Sequence, residues 1–250
     1  MAKNEVKVQE QFDVITNEVP AYLVGRTGSR GAENVSTDDM IIPRVELIQA
    51  LSPARNKKDA AYIEGAEEGM LYNNVTRELY GESAVVVPVY YAKQFLIWKD
   101  RKSGGGGSNG FRGAFASADL ARAAIAQLGE EGLEVSDTAQ HFVLVRNHDQ
   151  WQEAVISMAK SKMKVSKRWN SLIRLTNADS FTRAYKLSSV VETNARNESY
   201  HNFNITPLGF VPKEVYERAE RLYESIRAGG VKVSADYDDA ATPGAGESEY

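Results

Sequence analysis

Ala84-Val85-Val86-Val87-Pro88-Val89-Tyr90-Tyr91-Ala92-Lys93-Gln94-Phe95-Leu96-Ile97-Trp98 is the longest strand-forming run in the chain, and its reading decides the fold class. Valine and aromatic side chains dominate it, and these are the residues that a pleated, half-buried surface accepts best. Pro88 has no N–H to give to a ladder, so it marks an edge position, a bulge or a break into two strands. Tyr90 and Tyr91 must point to opposite faces, because side chains alternate along a strand.

Upstream of this run, Ile41 to Ile48 is β-rich and Met70 to Asn74 reads as a short strand. Ser52–Asp59 and Glu64–Gly69 are turns between them. Downstream, Ser103 to Gly110 is a glycine-rich loop by composition, and Phe111-Arg112 adds an aromatic–cation pair to it. Ser117 as N-cap, Asp119 in the first turn and Gly129 as the stop bracket an alanine-rich helix. His141–Val145 and Trp151–Met158 read as two strands joined by a hairpin loop at Arg146–Gln150. Val165, Trp169, Leu172 and Ile173 then fall at i, i+4, i+7 and i+8, one apolar helix face that places Trp169 in the core. Phe181–Leu187 and Tyr200–Ile205 are further strands. Pro212 opens a last helix that turns Val215, Ala219, Leu222, Tyr223 and Ile226 inward and ends at Gly229-Gly230.

Strands that cluster in hairpins, and do not alternate regularly with helices, define an α+β protein with a mostly antiparallel sheet. An oligonucleotide-binding (OB-like) barrel with inserted helices fits this order. The alternative is an open antiparallel sheet covered by helices. Residues 1–35, with the Gly25–Gly31 linker, are expected to form a flexible N-terminal arm, 36–233 a single domain and 234–250 a disordered acidic tail.

At 250 residues and 42% hydrophobic content, the chain can build a substantial core. No run approaches the roughly 18 to 20 apolar residues of a membrane span, so no membrane partner is expected. Met1 to Glu10 lacks the apolar stretch of a signal peptide. The absence of cysteine excludes disulfides, thiol catalysis and cysteine-based metal sites, and fits a reducing cytoplasm. The histidines His141, His148 and His201 show no metal-ligand spacing, and a structural or surface role is the simpler reading for each. No phosphate-cradling loop, dinucleotide fingerprint or nucleophile elbow occurs, so neither a cofactor nor a catalytic residue is expected. A nuclease site assembled from distant carboxylates is the enzymatic alternative.

The net charge of −4 hides a strong asymmetry. Between Lys160 and Lys186 lie Lys160, Lys162, Lys164, Lys167, Arg168, Arg174, Arg183 and Lys186, against Asp179 as the one acid. Between Ser234 and Tyr250 there is no cation, while Asp236, Asp238, Asp239, Glu247 and Glu249 lead to the terminal Tyr250. Such a split points to a nucleic-acid partner and an acidic interaction arm. Sequence-independent binding of single strands needs cations that follow phosphates and aromatic faces on which bases stack. Tyr185 lies among the cations of the basic window. The long strand run supplies a second interleaving, Tyr90, Tyr91, Lys93, Phe95, Trp98, Lys99, Arg101 and Lys102, and Phe111-Arg112 adds one more pair from the loop. Of these, Tyr91, Lys93, Trp98, Lys99, Arg101, Lys102, Phe111 and Arg112 are the candidate contacts. The bland reading is a solvated basic helix face and a solvated acidic end.

With its basic segment, its order of elements and a tail that ends Glu247-Ser248-Glu249-Tyr250, the chain resembles phage-encoded single-stranded DNA-binding proteins built on one OB barrel. The resemblance is architectural, and the long N-terminal arm departs from it. It implies a protein of the host cytoplasm that coats single-stranded DNA in replication or recombination, with a tail that recruits replication or recombination proteins and competes for the basic groove. Homo-oligomers are compatible with this reading. A strand-annealing recombination protein, which would form rings or filaments, and a structural or inhibitory protein whose basic face binds another protein remain open beside it.

Overall fold

The computed structural model describes residues 42–100 and 110–228, together with Gly31. The chain divides into two units, Met1–Ser36 and Thr37–Tyr250. The fold described below belongs to the second. The expected arm apart from Gly31, the glycine loop up to residue 109 and the acidic tail lie outside the described residues.

Among the described residues, nine strands and three helices build an α+β fold whose named strand pairs are all antiparallel. The central element is β4 (Ser83–Lys99), the strand expected from the valine–aromatic run. One of its edges pairs with β6 (Leu133–Asn147) from Val86 to Lys99. Its other edge is shared: β8 (Arg183–Thr193) takes Ser83–Val86, and β5 (Phe111–Phe115) takes Phe95–Trp98. With β7 (Gln150–Ala159) outside β6 and β9 (Ser199–Phe210) outside β8, the order is β7-β6-β4-β8-β9. The register slips between Pro88 and Tyr90, so the proline sits at a bulge where the ladder is already interrupted. Tyr90 and Tyr91 diverge as alternation requires: Tyr90 packs on Phe142, and Tyr91 packs on His141.

Both faces of the sheet are apolar, which is why β6 is buried without a break from Thr138 to Val145. On the inner face, Val86, Val143, Ile156, Leu187 and Ile205 pack against Val165 and Trp169 of α2 (Met163–Arg174). The same cluster takes Val45 and Leu47 of β1 (Val45–Leu47) and Leu71 of β2 (Leu71–Asn73). On the outer face, Val87, Val89, Phe142 and Leu144 pack against Val215, Ala219, Leu222 and Ile226 of α3 (Lys213–Arg227). Trp169 is wholly buried, as the spacing of the α2 face requires. The first helix, α1 (Ala118–Leu128), begins at Ser117, whose side chain accepts from the Leu120 N–H, and ends at a left-handed Gly129.

The small sheet β1-β2-β3, closed by β3 (Leu79–Gly81), connects the two outer strands of the large one. An isolated parallel bridge pairs Arg44 with Val155, and the Val155 N–H donates to the Pro43 carbonyl at 2.8 Å. At the opposite end, the Gln49 amide donates to the His201 carbonyl at 2.8 Å and accepts from the His201 N–H at 3.0 Å. No ladder joins β7 to β9 directly among the described residues.

Several boundaries differ from the sequence reading. Phe111-Arg112, expected with the glycine loop, opens a strand, Phe111–Phe115, held by β4. The strand expected over His141–Val145 begins at Leu133, and the strand expected to end at Leu187 runs on to Thr193. In β5 the stretch contains Gly113 and in β6 the extension contains Glu134, Ser136 and Asp137, so local propensity is weak and the partner strand fixes both. Pro212 is the residue before the last helix, not its first turn.

Candidate nucleic-acid interface

The basic window folds as a 3-10 turn (Lys160–Lys162), α2 and β8, and alternation along these elements sorts its side chains. On α2 the inward positions are taken by Val165, Ser166 and Trp169, which leaves Lys164, Lys167, Arg168 and Arg174 exposed. On β8, Tyr185 points inward and Lys186 outward. Tyr185 is only 1% exposed, with its ring 5.8 Å from that of Trp169. It therefore cannot present a face to a base, which corrects its assignment as a stacking residue. Lys186 shares its side of β8 with Ser188, Val190 and Glu192. The outer face that α3 covers near Ala184 is open farther along this strand.

A shallow groove of about 260 Å³ lies between α2 and the β8–β9 pair, lined by Lys164, Val165, Arg168, Val190, Glu192, Phe203 and Asn204. Arg168 reaches the Asn204 side-chain oxygen at 3.4 Å. Glu192 is the sole acid in the lining, and three donors converge on its carboxylate. Lys164 Nζ lies 2.8 Å from Oε1, the Tyr200 hydroxyl donates to Oε2 at 2.8 Å, and Asn202 Nδ2 donates to Oε2 at 2.9 Å. Burial alone would raise the Glu192 carboxyl; these hydrogen bonds outweigh it and hold the group below its ordinary value. Lys164 is raised in turn, chiefly by its bond to Glu192. Lys162 turns the other way, with its ammonium 4.8 Å from the Phe203 ring centre and its pKa lowered by burial, partly offset by Glu46. It belongs to the interior more than to the groove. Lys160, Lys167, Arg174 and Lys186 have no acidic partner among the described residues.

The second interleaving forms a different surface, the ribbon of β4, β5 and β6. Lys93 pairs with Asp137 and lies 4.9 Å over the Phe95 ring. Arg112 grips Glu130 through Nε and Nη2, both at 2.9 Å, and Lys99 approaches the same carboxylate at 3.3 Å. Arg112 accordingly holds Glu130 below its ordinary value, with help from Lys99. Trp98 packs on Phe111 at 5.3 Å, both half-buried, while Tyr91 is 40% exposed. Each described cation of this ribbon thus carries a carboxylate, whereas most cations beside the groove carry none. Arg101 and Lys102, and the tail residues Asp236, Asp238, Asp239, Glu247, Glu249 and Tyr250, lie outside the described residues.

The sequence reading did not single out Glu192, Tyr200, Asn202, Asn204 or Phe210. Phe210 is 77% exposed at the end of β9, with the Arg183 guanidinium 5.3 Å from its ring centre. Arg183 therefore leaves the groove and joins an aromatic–cation pair elsewhere. The polar set had one readable signal, the alternation Tyr200, Asn202, Asn204 along one side of a strand.

His141 is wholly buried, as a structural histidine would be. Its ring stacks on Trp169 at 4.5 Å, and Nε2 lies 2.8 Å from the Ser166 hydroxyl. Burial lowers its pKa to about 3, so the ring is neutral. Among the described residues no three His, Asp or Glu side chains gather as a metal-holding group, and no helix is long and apolar enough to cross a membrane.

No curated protein and no solved structure is detectably similar to the chain. A family model does match it, over residues 11–232, and on that span the chain belongs to the Pam3 phage gp34-like protein family.

Proposed function

We propose that this phage-family protein binds single-stranded DNA, without catalysis and with little base preference, during replication or recombination. The observation that carries the reading is the groove between α2 and the β8–β9 pair, which Lys164 and Arg168 line with a single carboxylate, while Lys167 on α2 and Lys186 on β8 are exposed on the same two elements. Like charges so grouped repel one another until an anion relieves them. The curled sheet supports an OB-like reading, because β1 and Gln49 tie its two outer strands together around one apolar core. Exposed Tyr91 and Phe210 supply ring faces for stacking. In this reading the acidic tail recruits replication or recombination proteins.

Titration of fluorescent single- and double-stranded oligonucleotides over a salt series, with and without magnesium, tests the proposal. If four to six cations meet phosphates, log K against log[salt] has a slope of about −3 to −4 for the single strand, at about 0.7 per contact. Changing Lys164, Lys167 and Arg168 together to Ala weakens binding and leaves the melting temperature nearly unchanged, since all three are exposed. A slope near zero rules out the groove, and magnesium-dependent cleavage replaces the reading with a nuclease.

A further inference from the structure

Glu192 stands out because it is a carboxylate placed where the proposed ligand would put a phosphate. Its two oxygens take Lys164 Nζ, the Tyr200 hydroxyl and Asn202 Nδ2, all within 2.9 Å. These donors are prepositioned. Asn202 is wholly buried and fixed at its other end, where Oδ1 accepts from the Phe203 N–H at 2.8 Å. Tyr200 stands directly across the ladder from Glu192. Carboxylate and phosphodiester groups each offer oxygens that share one negative charge, and they accept the same charge-assisted hydrogen bonds. Glu192 itself lies one residue from the end of β8, and its side chain is 23% exposed, so rotation about its own bonds can carry the carboxylate into solvent.

We propose that Glu192 is a resident anion that occupies a phosphodiester subsite made by Lys164, Tyr200 and Asn202, and that a single strand enters the groove by displacing it. The inference rests on the single-strand reading above and adds a subsite and a built-in competitor. A purely structural ion pair at so exposed a lysine would contribute little to stability and would not oppose a ligand. A resident anion opposes any phosphate and weakens binding until it is expelled. It also flattens the salt response, because the freed carboxylate takes up a cation when the phosphate releases one.

The test is Glu192→Gln in the full chain, titrated with an oligothymidylate beside the wild type, with melting temperatures of both. Glutamine is isosteric and removes the charge; its one oxygen can still accept from Tyr200 and Asn202, while its NH2 replaces the oxygen that faced Lys164. The variant should bind roughly ten-fold tighter at low salt, the effect of one charge at contact distance in a partly screened site. Its salt slope should steepen by about 0.7. A wild type that binds, beside a folded variant of equal or weaker affinity, overturns the inference and leaves the single-strand reading standing. Failure of both folded proteins to bind overturns both. A measurement on the wild type alone keeps the inference falsifiable if the variant does not fold. The Glu192 carboxyl, followed by carbon NMR, should titrate at higher pH once oligothymidylate is bound and its donors have left; an unmoved titration overturns the displacement.

Discussion

At the scale of single residues, His141 contributes one part of the protein's response to acid. Its ring lies between Trp169 and Tyr91, with one nitrogen on Ser166 and no carboxylate beside it. Its pKa is lowered to about 3 in the fold, against an ordinary value of 6.5 in the unfolded chain. Below pH 6.5 the unfolded chain therefore takes up a proton that the native chain refuses. The histidine's contribution to stability is constant above that pH and is lost as pH falls from 6.5 toward 3, at up to about 1.4 kcal/mol per pH unit. Urea midpoints against pH for the wild type and His141→Gln check this, with a shallower acid slope expected in the variant. Parallel slopes would place the acid sensitivity elsewhere. The choice between core and surface was legible for Trp169, from helical spacing alone. It was not legible for Tyr185, because the parity of β8 is set by a bulge between Arg183 and Tyr185 that only the pairing with β9 reveals.

At the scale of elements, the small N-terminal sheet docks through a close approach at Gly69. This glycine has φ +87, and a Cβ there would lie 2.7 Å from the His201 ring and 3.1 Å from the Ser189 hydroxyl. Gly69→Ala combines left-handed strain with that collision, and should destabilise the protein by more than the ~1–2 kcal/mol of the backbone effect alone. Denaturant unfolding measures it; a smaller loss would mean that His201 yields easily. Pattern and punctuation made the long elements readable: the valine run of β4, the Ser117 and Gly129 caps of α1, and the apolar spacing of α2 and α3. What stayed hidden was made by pairing. The first half of β6 contains Glu134, Ser136 and Asp137, and β5 contains Gly113, sequences with little preference for a strand until β4 lies alongside. The groove was hidden for the same reason, since Lys164 and Glu192 meet only when α2 lies against the β8–β9 pair.

At the scale of the whole molecule, charge is segregated along the chain, and residues 234–250 carry acids without a cation. A tethered polyanion near a basic groove reaches an effective concentration in the millimolar range. Removing 234–250 should therefore raise affinity for a single strand, most at low salt where charges are least screened. Titrating full-length and truncated protein at two salt concentrations decides it; equal low-salt affinities would leave the tail as a tether alone. A different consequence follows from the Gln49–His201 contact, whose partners lie 152 positions apart in the chain. During synthesis, at about 5–20 residues per second, Gln49 waits roughly 8–30 seconds before His201 is even made. For most of that interval the Val45, Leu47 and Leu71 side chains have no α2, β8 or β9 to cover them, since these begin only at Met163. The first segment of the domain to leave the ribosome is thus among the last to find its place, and chaperone demand during translation should concentrate there.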